Sequence, residues 1–181
     1  MRVALFATCL VDVMSPGVGK ATVEVLERLG CTVEFPLEQT CCGQMHTNTG
    51  YPDQAAPMVA EFGEAFAGYE YIVAPSGSCV ASVKHQHEWV ATNHLGKRQV
   101  ETARRTAGRT YELSQFIVDV LGVTDVGGYY PHRVTYHPAC HATRMLGVGD
   151  RPLQLLRAVR GIELVELPDG IGCCGFGGTF A

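Results

Sequence analysis

The sequence carries one pattern twice: a hydrophobic segment that ends in a cysteine, followed after a long interval by Cys-Cys-Gly. In the first copy the segment ends at Cys9, and the tripeptide occupies positions 41–43, beginning 32 positions later. In the second copy the segment ends at Cys140, and the tripeptide occupies positions 173–175, beginning 33 positions later. Two closely matched spacings around an uncommon tripeptide indicate an internal repeat. We therefore expect two half-domains that fold in the same way.

The residues between the cysteine and the tripeptide predict a helix and then a strand in both copies. In the first copy Ser15 can cap a helix that ends at Gly30 and is followed by a strand at 31–35. The apolar stripe of this helix is predicted to consist of Val18, Ala21, Val25 and Leu29. In the second copy the helix is expected at 151–159 and the strand at 162–167.

The rest of the chain alternates in the same manner. Further helices are expected at 52–66, 79–96 and 112–121, and a further strand at 69–74. Strands that alternate with helices of this length are joined by right-handed βαβ crossovers. The sequence therefore predicts an α/β fold with mainly parallel sheets and flanking helices, arranged as two pseudo-repeated βαβ half-domains that each end in a Cys-Cys-Gly turn. We place the first domain at residues 1–125 and the start of a second, incomplete domain at 126–181.

Composition limits the classes of partner and compartment. The net charge is −4 and the pI is near 5.9, so the chain has no basic footprint for nucleic acid. Its apolar runs are shorter than the roughly 18 residues that a membrane-spanning helix needs, and its first residues are interpreted as a buried strand rather than a signal peptide. Eight cysteines in an acidic chain of this kind indicate metal binding or redox chemistry in the cytoplasm rather than structural disulfides.

The first candidate site comprises Cys9, Cys41, Cys42 and Cys79. These cysteines follow predicted strands, and open α/β sheets bind ligands beyond the carboxyl ends of their strands. The side chains of adjacent cysteines diverge, so Cys41 and Cys42 suit a cluster with several irons better than a single metal ion, and Gly43 allows the tight turn that aims both sulfurs inward. We predict a [4Fe–4S] cluster. Zinc remains the alternative for soft thiolates, although the usual C-x₂₋₄-C knuckle is missing.

The second candidate site comprises Cys140, Cys173 and Cys174, followed by Gly175, Gly177 and Gly178. Backbone N–H groups of the glycine-rich loop can donate hydrogen bonds to cluster sulfides. His137 or His141 could add a nitrogen ligand, or act as a hydrogen-bond donor beside the cysteines. A fourth cysteine equivalent to Cys79 would fall beyond Ala181, so the second site is expected to be incomplete in a C-terminally truncated chain.

Four other residues of metal-binding type are expected to have ordinary structural roles. Cys31 is predicted to be a small buried hydrophobic residue. His85, His87 and His94 are predicted to lie on a solvated helix and are assigned no role.

These motifs together resemble the cysteine-rich CCG-domain family of iron–sulfur proteins, which includes the B subunit of heterodisulfide reductase and the iron–sulfur subunit of glycolate oxidase. The similarity spans essentially the whole chain. It is carried by the segments 5–9, 39–44, 75–79, 136–141 and 173–180.

The resemblance implies a cytoplasmic, cluster-bearing component of a multi-subunit complex that oxidises L-lactate or a related hydroxy acid. Electrons would pass through this chain, and the substrate would react on another subunit. Ser76 stands where the heterodisulfide reductase pattern has the first cysteine of Cys-x-x-Cys, so the resemblance does not carry over the five-cysteine cluster of that enzyme. Two alternatives remain: a thiol–disulfide reductase subunit of the heterodisulfide type, and a zinc-stapled scaffold without catalytic activity. Whether the chain is itself an enzyme is left open.

Overall fold

A computed structural model describes residues 1–167 of the chain. The strands are β1 (Arg2–Leu5), β2 (Thr32–Glu34), β3 (Tyr71–Ala74), β4 (Thr110–Glu112), β5 (Arg133–Thr135) and β6 (Glu163–Val165). The helices are α1 (Cys9–Met14), α2 (Pro16–Arg28), α3 (Gln44–Asn48), α4 (Pro52–Ala65), α5 (Gly77–His85), α6 (His87–His94), α7 (Lys97–Arg109), α8 (Leu113–Gln115), α9 (Cys140–Arg144) and α10 (Arg151–Arg157). A π-helical turn, Phe116–Val120, continues α8.

Four strands form a parallel sheet in the order β2-β1-β3-β4, and helices connect consecutive strands. In β1, Val3 pairs with Val33 of β2 on one side and with Tyr71 of β3 on the other. The chain leaves β1 toward β2 and then returns past it to β3, so the strand order reverses beside β1. In open α/β sheets such a reversal opens a crevice beyond the carboxyl ends of the strands. The predicted α/β fold with a parallel sheet is confirmed.

The strand β1 is buried on both faces, which agrees with its continuous run of apolar residues. Val3, Ala4 and Leu5 are each no more than 3% exposed. On one face of the sheet, the rings of Phe6, Phe62 and Phe66 pack edge to face or tilted against one another, with centroids 4.6 to 5.7 Å apart. This aromatic cluster belongs to the same part of the hydrophobic core as Cys42 and Cys79.

The strands β5 and β6 form a second parallel sheet, with Val134 opposite Leu164. The helices α9 and α10 lie between them in sequence, so the order of elements after residue 133 matches the order after residue 2. The Cys-Cys-Gly tripeptide at 173–175 lies outside the described residues. The half-domain repeat as a whole therefore stays a prediction.

The buried face of α2 agrees only in part with the predicted stripe. Gly19, Thr22 and Leu26 are buried and Val25 and Leu29 pack against the core, whereas Val18 and Ala21 are exposed. Gly19 faces the neighbouring helix α1, because a Cβ atom added there would lie 3.5 Å from a methyl group of Val11. Ser15 occupies the N-cap position, but its side chain makes no capping hydrogen bond.

Two elements between the cysteines were missed by the sequence analysis. The helix expected at 79–96 is divided into α5 and α6, and it is followed by the unpredicted helix α7 and by the edge strand β4. In α7 only Ala103 and Thr106 are buried. Val100 and Ala107 also pack against the core and lie on the same helix face as Ala103, but these apolar residues are few in a strongly polar segment.

Helix α9 packs closely against the start of α5, which carries Cys79. A Cβ atom added at Gly77 in α5 would lie 2.6 Å from the Cβ atom of Ala142 in α9. The absence of a side chain at Gly77 is thus what permits this contact between the first and second halves of the described chain. Within residues 1–167, no helix combines the length and the apolar character that crossing a bilayer requires.

The close approach at Gly77 gives a prediction about stability. Gly77→Ala should lower the free energy of unfolding by about 1–3 kcal/mol, because the added methyl group overpacks the α5–α9 contact. Urea denaturation measures the change. Gly17→Ala in α2 is the matched control, because nothing lies within 4 Å of its added Cβ atom, and it should leave stability unchanged or slightly raised. In an Ala142→Gly background the cost of Gly77→Ala should shrink; an undiminished cost would show that the contact is not its source.

Candidate metal centre

Four cysteines of the first predicted site come from three connections at the carboxyl edge of the sheet. Cys9 begins α1 directly after β1, and Cys79 lies in the first turn of α5 directly after β3. Cys41 and Cys42 lie in the loop between β2 and α3. The switch in strand order beside β1 therefore places all three connections at one crevice.

The four thiols lie together in this crevice. The sulfur atoms of Cys9 and Cys41 are 3.5 Å apart. The thiol of Cys42 interacts with those of both Cys41 and Cys79. Cys42 and Cys79 are 4% and 7% exposed and belong to the hydrophobic core, whereas Cys9 and Cys41 are half-buried. The inner pair therefore sits in apolar surroundings and the outer pair faces the solvent side.

Each of these sulfurs has a hydrogen-bond donor from the protein. The backbone N–H groups of Leu10, Gly43 and Gln44 donate to Cys9, Cys41 and Cys42 respectively. The side chains of Ser76 and Ser78 hydrogen-bond to Cys79. Such donors stabilise negative charge on sulfur. Ser76, which departs from the heterodisulfide reductase pattern, thus supports Cys79 here.

Contacts among the thiols separate their pKa values. The hydrogen bond from Cys42 lowers the pKa of Cys41 to about 5 and is also the main cause that lowers the pKa of Cys79 to about 7. Burial, with the Cys41 contact, raises the pKa of Cys9 to about 11. The contact with Cys41 raises the pKa of Cys42 strongly. At neutral pH the site therefore holds a thiolate at Cys41, which is the form of cysteine that binds soft metals.

The side chain of Gln39 ties the Cys9 connection to the Cys41 loop. Its Oε1 accepts a hydrogen bond from the backbone N–H of Ala7 at 2.9 Å. Its Nε2 donates to the carbonyl oxygens of Leu5 at 3.1 Å and Pro36 at 2.9 Å. One amide group thus satisfies backbone groups in both segments and fixes their separation.

A second glutamine makes the matching link to the third cysteine. The Nε2 of Gln44, a buried side chain, donates to the carbonyl oxygen of Ser78 at 3.1 Å. The two glutamines flank the Cys-Cys-Gly turn in sequence, so the turn is held to the Cys9 connection on one side and to α5 on the other.

The backbone on either side of the site adopts left-handed conformations. Gly43, the N-cap residue of α3, has φ +76°, which a glycine adopts without cost. Thr8, the residue before Cys9, has φ +63°, an unusual conformation for a β-branched residue. Its side chain accepts a hydrogen bond from the N–H of Val11 and caps α1. Strained backbone of this kind concentrates at functional sites.

The predicted solvent exposure of His87 is wrong. His87 is 1% exposed, and its Nε2 lies 2.9 Å from the carbonyl oxygen of Cys42. Burial lowers the pKa of His87 to about 4, so the ring is neutral at physiological pH. The sequence contained a signal for this placement, because His87 precedes the buried residues Val90 and Ala91 at helical spacing. His85 and His94 are exposed, as predicted.

Cys31 lies apart from the other cysteines of the first half. It is 7% exposed and packs with Val3 and Leu26 in a different part of the core. The prediction that Cys31 is an ordinary core residue is confirmed.

Only part of the second predicted site lies within residues 1–167. The sulfur of Cys140, at the start of α9, is 3.6 Å from Nδ1 of His141, and His137 is exposed. The remaining predicted members lie outside the described residues: Cys173, Cys174, Gly175, Gly177 and Gly178. Their part in a second site stays a prediction.

The donor set of the first site suits an iron–sulfur cluster. Four sulfurs with N–H and O–H donors aimed at them, two of them in an apolar environment, are the features that ligate such clusters and set their potentials. In residues 1–167 no group of three or more His, Cys, Asp or Glu side chains is arranged to hold a single metal ion. The 3.5 Å contact between Cys9 and Cys41 means that these outer sulfurs must separate to admit a cluster.

A parallel α/β sheet that gathers a Cys-Cys-Gly turn and two further cysteines at its carboxyl edge defines a cysteine-rich domain. The sequence matches the family described as CCG, cysteine-rich domain, over residues 3–84 and 134–181, and the chain belongs to this family.

Among curated proteins, the chain is similar to proteins named lactate utilization protein A. It is 53% identical to the protein of Geobacillus kaustophilus over 181 residues, which cover 100% of this chain and 74% of the relative. It is 51% identical to the protein of Geobacillus thermodenitrificans with the same coverage, and 50% identical to that of Oceanobacillus iheyensis, with 73% of the relative covered. The resemblance inferred from the cysteine motifs is confirmed.

The lowered pKa of Cys41 gives a prediction about its reactivity in the reduced, metal-free protein. Iodoacetamide reacts with the thiolate, so the alkylation rate of Cys41 should be nearly constant at neutral pH and should fall only as the pH drops through about 5. Peptide mapping by mass spectrometry measures the rate at each pH. Cys9 is the internal control, because it is also half-buried but has a raised pKa near 11 and should react slowly at neutral pH. A Cys41 rate that keeps rising up to pH 9 would contradict the prediction.

Proposed function

We propose that the chain is an iron–sulfur electron-transfer component of a complex that oxidises L-lactate or a related hydroxy acid. The observation that supports this most directly is the meeting of four thiols from three connections in one crevice, each with a hydrogen-bond donor from the protein. The names of the relatives support the connection to lactate.

The residues that would hold a [4Fe–4S] cluster are Cys9, Cys41, Cys42 and Cys79. When bound, the cluster supplies one-electron transfer. The protein supplies thiolate ligands, and its N–H donors offset the negative charge that an added electron brings. Cys42 and Cys79 anchor the site in the apolar core beside Phe62, while Cys9 and Cys41 form its solvent-facing side. Electrons would enter and leave from that outer side.

In this proposal the hydroxy acid reacts on another subunit of the complex, and the complex is cytoplasmic. The chain is then a subunit that carries electrons and does not bind the substrate. Residues 1–125 form the first CCG domain, and residues 126–181 begin a second one in which Cys140, Cys173 and Cys174 contribute to another cluster. The glycine-rich loop after Cys174 would donate N–H groups to that second cluster.

Anaerobic reconstitution tests cluster binding. With iron, sulfide and reductant, the wild-type chain should develop a broad visible absorption band and, on reduction, an EPR signal. Cys42→Ala should reduce cluster occupancy by more than about tenfold, since even the loss of a supporting hydrogen bond weakens metal sites by that order.

The matched control for Cys42→Ala is Cys31→Ala, which removes an equally buried thiol from another part of the core and should leave cluster occupancy at the wild-type level. Stoichiometric zinc without a visible band in the wild-type chain would favour the scaffold alternative. Reduction of a heterodisulfide by the loaded chain would favour the thiol–disulfide reductase alternative. Equal loading of both variants would count against ligation by Cys42.

A genetic replacement tests the role in lactate utilisation. The whole chain would replace the matching portion of lactate utilization protein A, and this chimera would be expressed in a Geobacillus kaustophilus strain that lacks its own copy. If the chain carries electrons from lactate, the chimera should restore growth on L-lactate, the Cys31→Ala chimera should do so equally, and the Cys42→Ala chimera should not. Growth measured on glucose separates a specific defect from general toxicity. Full growth of the Cys42→Ala chimera on L-lactate would reject the proposal.

A further inference from the structure

A buried histidine, His87, contacts the Cys-Cys-Gly turn from the core side. The Nε2 of His87 is 2.9 Å from the carbonyl oxygen of Cys42. A carbonyl oxygen only accepts hydrogen bonds, so Nε2 must carry the hydrogen and donate it. The ring of His87 is held in place by Phe62, whose ring meets it edge to face at 5.1 Å. The donor is therefore fixed in position by the packing around it.

This hydrogen bond also determines the direction of the next backbone N–H group. The peptide bond between Cys42 and Gly43 is trans, so its C=O and N–H groups point in opposite directions. With the carbonyl held toward His87 in the core, the N–H of Gly43 points out of the core, where it donates to the sulfur of Cys41. One peptide plane thus connects the buried imidazole to an outer thiolate.

Glycine makes this peptide plane easy to reverse. Gly43 has φ +76°, but glycine adopts positive and negative φ with similar ease, so the chain itself does little to prevent the plane from turning over. A reversed plane would bury the N–H of Gly43 and turn the carbonyl of Cys42 toward the sulfurs, where two negative groups would face each other. The hydrogen bond from His87 to the carbonyl oxygen of Cys42 opposes this reversal.

Stability alone does not account for a histidine at this position. The other ring nitrogen of His87, Nδ1, is buried without a hydrogen-bond partner among residues 1–167. A buried polar atom without a partner costs about 1–3 kcal/mol, which an apolar side chain would avoid. The benefit of His87 must therefore come from its Nε2 donor.

We propose that His87 is a positioning residue that orients the Cys42–Gly43 peptide plane and so aims the N–H of Gly43 at the sulfur of Cys41. In the loaded protein this hydrogen bond offsets negative charge at the Cys41 ligand and raises the reduction potential, a consequence that rests on the proposed function. The orientation of the peptide does not depend on a cluster, so it can be tested in the metal-free protein.

Three substitutions of His87 separate its donor from its bulk. His87→Gln places an amide nitrogen near the position of Nε2 and should preserve the hydrogen bond to Cys42. His87→Asn places its amide near the position of Nδ1, too short to reach Cys42, and is the matched polar control. His87→Leu fills the space without any donor.

Amide hydrogen exchange, followed by NMR in the reduced, metal-free full chain, is the readout. In His87→Asn and His87→Leu the amide of Gly43 should exchange about tenfold faster than in the wild type, since about one hydrogen bond is lost. The His87→Gln rate should stay close to the wild-type rate. The amides of Ile72 and Val73 in β3 are the reference, because a general loss of stability would accelerate them equally.

The proposal would be overturned if Gly43 exchanges at the wild-type rate in both donor-free variants, if its exchange rises only in parallel with β3, or if His87→Gln behaves like His87→Leu.

A measurement on the wild type covers the case in which a variant does not fold: the ¹⁵N shifts of His87 should show the neutral ring with hydrogen on Nε2, and hydrogen on Nδ1 would overturn the proposal. If clusters can be loaded, the midpoint potential should fall in His87→Asn and be restored in His87→Gln. Failure to load any cluster would reject the proposed function and leave the NMR test of His87 intact.

Discussion

The central position of β1 in the parallel sheet is the constraint on which the site depends. Hydrogen bonds to β2 and β3 fix both of its edges, and burial of Val3, Ala4 and Leu5 fixes both of its faces. The chain forms β2 on one side of β1 before the Cys-Cys-Gly loop and β3 on the other side after it. The carboxyl ends of β1 and β3 therefore open into one crevice. The cysteines meet there because the strands that precede them are neighbours.

Polar side chains then convert this general arrangement into a defined one. Gln39 joins the Cys9 connection to the Cys41 loop, Gln44 joins the turn to α5, and His87 holds the turn from below. These side chains bond to backbone groups at the end of β1, in the Cys-Cys-Gly turn and in the first turn of α5. The alternation of strands and helices therefore places the thiols in one region. The side chains of Gln39, Gln44 and His87 then fix the positions of the cysteine-bearing connections relative to one another.

Much of this could be predicted from the sequence, and the failures share a cause. A strand followed by a cysteine is a local pattern, and parallel strands share a carboxyl edge, so the grouping of Cys9 and Cys79 followed from local signals. The helix α7 was missed because the residues that it buries completely, Ala103 and Thr106, are small or polar, although Val100 and Ala107 pack against the core on the same face. The predicted stripe of α2 missed Gly19 and Thr22, which are small or polar, and the placement of His87 depends on a partner 45 positions away. The failures thus lie where the fold buries small or polar residues in place of large apolar ones.

The two glutamine links have a consequence for how a cofactor could be acquired. In many small metalloproteins the ligands are brought together only by the metal, so the free energy of metal binding must also drive folding. In the present chain, hydrogen bonds from the neutral side chains of Gln39 and Gln44 hold the three connections together. These bonds leave the cysteine sulfurs free to bind a metal. In the proposed function, most of the entropy of ordering these connections is lost during folding and not during loading. The outer sulfurs of Cys9 and Cys41 must still separate, but insertion of an inorganic core then becomes a step separable from the folding of the chain.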